Sequence, residues 1–153
     1  MRSSLLRSIF VALAVFVSPV ASAQTSQFGT AAEARAMLDK AVVALKANKA
    51  KALEMFSKGE GGFKDRDLYV ACGGPDAKVT AHINAARIGM NINEFKDATG
   101  NLFGVELMKA TEGKVIEVNY LFPRPGADTT PVKKTSYATK VGDQMCMVGY
   151  YNS

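Results

Sequence analysis

Between residues 115 and 151 the chain runs through three apolar-rich stretches, 115–122, 133–141 and 144–151. They are parted only by segments carrying Pro123-Arg124-Pro125-Gly126 and Gly142-Asp143. Parallel neighbours need a crossover of a dozen or more residues, so strands joined this briefly run antiparallel. The Gly142-Asp143 step has the composition of a tight hairpin. A second hairpin lies upstream, with Leu68-Tyr69-Val70-Ala71-Cys72, a turn at Gly73-Gly74-Pro75-Asp76 and a returning strand over 78–83. Five strands in one mostly antiparallel sheet are expected. All five tyrosines, Tyr69, Tyr120, Tyr137, Tyr150 and Tyr151, fall on or beside these strands, where an amphipathic ring lines a half-polar concavity.

Helices precede the sheet. Thr30-Ala31-Ala32-Glu33 has the form of a capping box. After it Met37, Leu38, Ala41, Val42 and Leu45 recur at three- and four-residue spacing, the stripe of an amphipathic helix. Asn48 interrupts the pattern, and Leu53, Met55 and Phe56 mark a second, shorter helix over 51–57 that stops at Gly59. Residues 84–99 are polar and irregular, and 102–108 fit a third helix face. Asp97 with Thr99 and Gly100 reads as an Asx-type turn shaping this insertion. The order of elements predicts an α+β fold.

The N-terminus reads differently. Arg2 and Arg7 precede an apolar run over 9–17, then Ser18-Pro19 and the small triplet Ala21-Ser22-Ala23. That is the pattern of an export leader cut after Ala23, and the run is shorter than a bilayer span of roughly 20 residues. Residues 1–23 are therefore expected to be a signal peptide and 24–153 a single periplasmic or secreted domain with no membrane span. Of 19 basic side chains, removing Arg2 and Arg7 leaves 17 against 14 acidic ones, a net +3. Export and the lack of a basic stripe interleaved with aromatics exclude nucleic acid as a partner. The two cysteines, Cys72 and Cys146, leave two alternatives in an oxidising compartment: a disulfide, or two small buried thiols.

These pieces, in their order and spacing, resemble the single Cache family of extracytoplasmic PAS-like small-molecule sensors. The resemblance covers about residues 33–151. It rests on the Asn48 helix break, Asp67-Leu68-Tyr69-Val70, Ala81-His82, Ile88-Gly89-Met90-Asn91 and Lys96-Asp97-Ala98-Thr99-Gly100-Asn101. It continues through Tyr120-Leu121-Phe122-Pro123-Arg124-Pro125-Gly126, Lys134-Thr135-Ser136-Tyr137 and Val148-Gly149-Tyr150-Tyr151. It implies a five-stranded antiparallel sheet, a long N-terminal helix behind it, and a cavity between the sheet and a loop-helix insertion. It also implies that the first and last strands are central neighbours, which sets Cys72 beside Cys146 and favours the disulfide. The chain departs from the family pattern at Ile83, where relatives carry proline, and in lacking a tryptophan in the fourth element.

The resemblance implies a periplasmic domain that binds a small organic molecule, a short organic acid first among candidates, and passes its signal to a membrane sensor kinase or chemoreceptor. The alternative is an exported protein-interaction module of the same fold with no cavity. His82, the only histidine, and Arg87 are candidate partners for a carboxylate. Tyr120 and Phe122 share one face of a strand by parity and form an aromatic wall. Lys134 and Tyr137 are both carried over from the family motif, although a spacing of three sends them to opposite faces of a regular strand. One histidine and two cysteines make no recognisable metal site. No nucleophile and base are brought together by any motif, so neither cofactor nor catalysis is expected.

Overall fold

A computed structural model describes residues 26–152 of the chain; the leader expected over residues 1–23 lies outside them. The hydroxyl of Thr30 accepts from the Glu33 backbone N–H, and the Glu33 carboxylate accepts from the Thr30 N–H at 2.7 Å, closing the capping box that starts α1 (Ala31–Ala47). Ala34, Met37, Leu38, Ala41 and Leu45 form its buried stripe. Asn48 then serves two helices. Its backbone N–H donates to the Ala44 carbonyl, and its side chain accepts from Lys51 N–H to start α2 (Lys49–Lys58). The extended backbone of Asn48 breaks the axis between them.

The sheet contains β1 (Lys64–Asp65), β2 (Leu68–Gly73), β3 (Val79–Ala81), β4 (Ile116–Pro123), β5 (Pro131–Val141) and β6 (Gln144–Tyr151). Its order is β1-β2-β6-β5-β4, with β3 also on β2, and every pairing is antiparallel. The expected count of five strands is corrected to six, because β1 has only two residues and carries no periodicity to read. The returning strand is shorter than the expected 78–83. It ends at Ala81, where His82 Nδ1 takes the Asn84 N–H and the Asn84 side chain accepts from Ala86 N–H, turning the chain into a 3-10 turn over Ala85–Arg87.

Strand alternation divides the core in two. One face sends Leu68, Val70, Cys72, Cys146 and Val148 against Leu38, Ala41, Phe56 and Phe63 beneath the helices. Complete burial of Leu38 and of Phe56 contributes about 2–3 kcal/mol each. The other face sends Met145, Val118, Tyr120 and Ala138 against Ile92, Phe103 and Leu107 of the insertion, which holds α3 (Phe103–Leu107). Cys72 and Cys146 are register partners on the central strands β2 and β6. They form a disulfide with Cα atoms 4.1 Å apart across 74 residues of sequence.

Asp97 fastens the insertion to the sheet. Its Oδ1 accepts from Thr99 N–H, Thr99 O–H and Asn101 N–H, and its Oδ2 accepts from Leu121 N–H on β4 at 3.0 Å. The hydroxyl of Thr99 first, then the backbone donors, hold its carboxyl at about 2.

Candidate functional site

The insertion side of the sheet encloses a hollow in two parts. Its inner end lies among Ala71, Ile92, Leu107, Met145, Met147 and Phe103 and leaves a cavity of only about 30 Å³. It opens past Tyr69, His82, Arg87 and Phe122, which line both parts, into an outer chamber of about 300 Å³. Ile83, Asn84, Pro123, Arg124, Pro125 and Gly126 complete the chamber wall. The inner end holds no more than a water or two. The outer chamber falls at the lower end of the range for small-molecule sites.

Four of the chamber's side chains, Tyr69, His82, Arg87 and Arg124, carry donor groups. His82 Nδ1 accepts from the Asn84 N–H at 2.9 Å, so a neutral ring carries its proton on Nε2. Burial first, then the charges of Arg87 and Lys134, push the imidazole down to about 4, and His82 is neutral at pH 7. No acceptor for Nε2–H exists among the described residues. Arg87 makes no ion pair among them either; its guanidinium lies 5.5 Å from the Phe95 ring and 5.1 Å from the Phe122 ring, an apolar cradle that leaves its planar N–H edges free. Arg124 donates to Asp67 at 2.8 Å. No acidic side chain lines the chamber.

Behind this wall sits a buried ammonium. Lys134 is 1% exposed. Its Nζ donates to Tyr69 Oη at 3.2 Å and Tyr151 Oη at 3.4 Å and lies 4.7, 4.6 and 5.3 Å from the ring centres of Tyr69, Tyr151 and Phe122. Burial opposes the charge, but the facing oxygens of Tyr69, Tyr120 and Asp67 outweigh it, and the ammonium titrates above the ordinary lysine value. The Tyr151 hydroxyl donates onward to the Pro123 carbonyl at 2.6 Å. Tyr69 lines the chamber and accepts from Lys134, and its own O–H has no acceptor among the described residues.

Of the six side chains expected to bind a ligand, His82, Arg87 and Phe122 meet at the chamber. Tyr120 lies at the inner end, stacked on Phe103 at 4.0 Å with its hydroxyl 2.7 Å from Ser136 Oγ. Lys134 stands one layer back. Tyr137 lies on the opposite face, packed against the helix-side core and 5.6 Å from Tyr150; strand parity puts it there, and the structure does not bring it to the cavity. Tyr69, Asn84 and Arg124 are chamber residues that sequence reasoning did not single out. A strand tyrosine two residues after Asp67 is the one signal that points to Tyr69. Among the described residues there is no group of His, Cys, Asp and Glu able to hold a metal and no helix long and apolar enough to cross a membrane.

Comparison with known proteins gives the family and the fold. A family model, single Cache domain 2, matches residues 12–151. A methyl-accepting chemotaxis protein from Vibrio parahaemolyticus superposes with a TM-score of 0.63 at 21% identity, over 78% of this chain and 86% of its own. The periplasmic sensor domain of a chemotaxis protein gives 0.59 at 21% identity, over 80% and 90%. A Cache chemosensory domain solved for its carboxylic acid recognition gives 0.58 at 23% identity, over 80% and 88%. At these identities the likeness is one of fold. No curated protein matches the chain in sequence.

Proposed function

We propose that this chain, which belongs to the single Cache domain 2 family, binds a small organic anion, a short carboxylate, in the chamber lined by Tyr69, His82, Arg87 and Arg124. One observation carries this reading: the chamber gathers Arg87, which has no ion pair among the described residues, Arg124, bonded to Asp67 through a single nitrogen, and two neutral donors, with no carboxylate among its lining residues. An anion supplies both the missing charge and the missing acceptors. Phe122 and the aromatic wall inside it exclude water from the alkyl part of the guest, and the scant space at the inner end limits that part to a few carbon atoms. Lys134 acts from behind, polarising the Tyr69 hydroxyl. The alternative of an interaction module with a filled interior fits the inner end but not the outer chamber.

Residues 1–23 then direct export to the periplasm and residues 24–153 form the sensor, which serves as a binding module and not as an enzyme. The fold likeness to chemotaxis sensors supports a membrane chemoreceptor or sensor kinase as the receiver of the signal. Thermal unfolding with acetate, propionate, lactate, malonate and succinate, each against its amide, tests the reading. A carboxylate at one hundred times its Kd raises stability by about 2.7 kcal/mol, and Arg87→Met weakens its binding by roughly 1.5–3 kcal/mol. No shift with any of the acids overturns the proposal.

A further inference from the structure

Arg124 is held in the chamber wall by parts of the chain outside it. Its guanidinium lies 3.8 Å from the ring centre of Phe28 and 4.6 Å from that of Tyr151, and Nη1 donates to Asp67 Oδ2 at 2.8 Å. The other oxygen of Asp67, whose side chain is 7% exposed, accepts the Gly29 N–H at 2.7 Å. Gly29 lies so close to Leu68 that a Cβ at residue 29 would overlap the leucine side chain. Arg66 donates to the carbonyls of Ser26 and Phe28 at 3.2 and 2.9 Å. Residues 26–30, which are neither helix nor strand, are thus tied down through Ser26, Phe28 and Gly29 at the back of a cation that lines the chamber.

A guanidinium has five N–H donors, and the Asp67 contact engages a single Arg124 nitrogen. The rest have no hydrogen-bond partner among the described residues, and Arg124 lines both the chamber and a second hollow shared with Phe28 and Tyr151. A long side chain already fixed between two rings and a carboxylate binds with less loss of rotamer freedom than a free one.

We propose that residues 26–30 are a positioning element of the anion site. Phe28, and Asp67 with its Gly29 partner, hold Arg124 ready for the guest, and docking of this segment and occupancy of the chamber reinforce each other. The inference rests on the anion reading above. Because coupling between sites is reciprocal, a bound anion that engages Arg124 protects the docked segment, and loss of docking costs affinity. The stretch leading into α1 then reports what the chamber holds.

Calorimetric titration of the 24–153 domain with sodium propionate and sodium malonate, joined to hydrogen exchange at the Gly29 amide, tests this. Phe28→Leu weakens the anion that binds by about three- to tenfold. The unliganded melting temperature falls by only a few degrees, because Phe28 is 38% exposed, and Phe28→Tyr, which keeps the ring, restores the affinity. The bound anion slows Gly29 exchange in the wild-type domain and not in Arg124→Gln. If an anion binds wild type and Phe28→Leu within twofold and Gly29 exchange is unmoved, the positioning role falls and the anion reading stands. If neither propionate nor malonate binds wild type, both fall. If Phe28→Leu is too unstable to titrate, Gly29 exchange in the wild type decides alone.

Discussion

A fully buried lysine needs space as well as partners, and Gly149 on β6 supplies the space: a Cβ there would overlap Lys134 Cε and Ser136 Oγ. Gly149→Ala is expected to destabilise the domain by about 1–3 kcal/mol, the cost of overpacking. It should also weaken anion binding by displacing the ammonium from Tyr69. Urea unfolding checks the first effect, and an unmoved midpoint would show that Lys134 has another place to go. His82 sets a pH dependence. Its folded value of about 4 lies below the ordinary 6.5, so the unfolded chain takes up the proton first. The contribution is fully present above pH 6.5 and is lost as pH falls toward 4. The loss is roughly 2 kcal/mol once partial solvation is allowed for. His82→Gln should flatten stability against pH across most of that window, while Glu33 and Asp97, both held at about 2, lose their contributions from about pH 4.5 downward. Strand parity made much of this legible, since a period of two places Lys134 with Ser136, Tyr120 with Phe122, and Tyr137 on the other face. Parity says nothing about depth. Tyr69 and Phe122 come from strands far apart in sequence, and only their meeting sets Lys134 one layer back. Arg124, within Pro123-Arg124-Pro125-Gly126, reads as part of a connector until the fold brings Asp67 to it.

At the scale of elements, side-chain caps decide where the chain turns. Asn48 ends one helix and starts the next, and Asn84 and Asn91 each accept a backbone N–H at the start of a 3-10 turn. Asp97 joins the insertion to the outer strand β4: three of its hydrogen bonds close the turn at Thr99 and Asn101 and the fourth reaches Leu121 N–H. Asp97→Ala should speed hydrogen exchange at Thr99, Asn101 and Leu121 together, leaving α1 and β6 protected. Equal protection in variant and wild type would show that the insertion is held by its apolar contacts alone. The long helix, the hairpins and the Asn48 break can be read from pattern because capping box, stripe and turn residues agree with one another. The insertion resists such reading. Its short turns are fixed by asparagine and aspartate side chains, whose sequence signal is shared by unstructured loops.

At the scale of the molecule, the Cys72–Cys146 bond closes a loop of 74 residues. By chain entropy it stabilises the domain by roughly 4 kcal/mol. The double variant Cys72→Ala/Cys146→Ala should lose stability of that order in chemical unfolding, with a lower melting temperature. Retained stability would mean that the two cores hold the sheet closed unaided. The bond ties β2 to β6, the strands that carry Tyr69 and Tyr151, whereas Phe122 belongs to the outer strand β4, Arg124 follows it, and His82 and Arg87 lie on the insertion side. The mouth of the hollow is therefore a vice with one jaw bolted to the frame. Arg124 is itself pinned to Asp67, so whatever yields when a guest arrives is to be sought in the insertion that carries His82 and Arg87, and a receptor that listens to this domain would do best to grip it there.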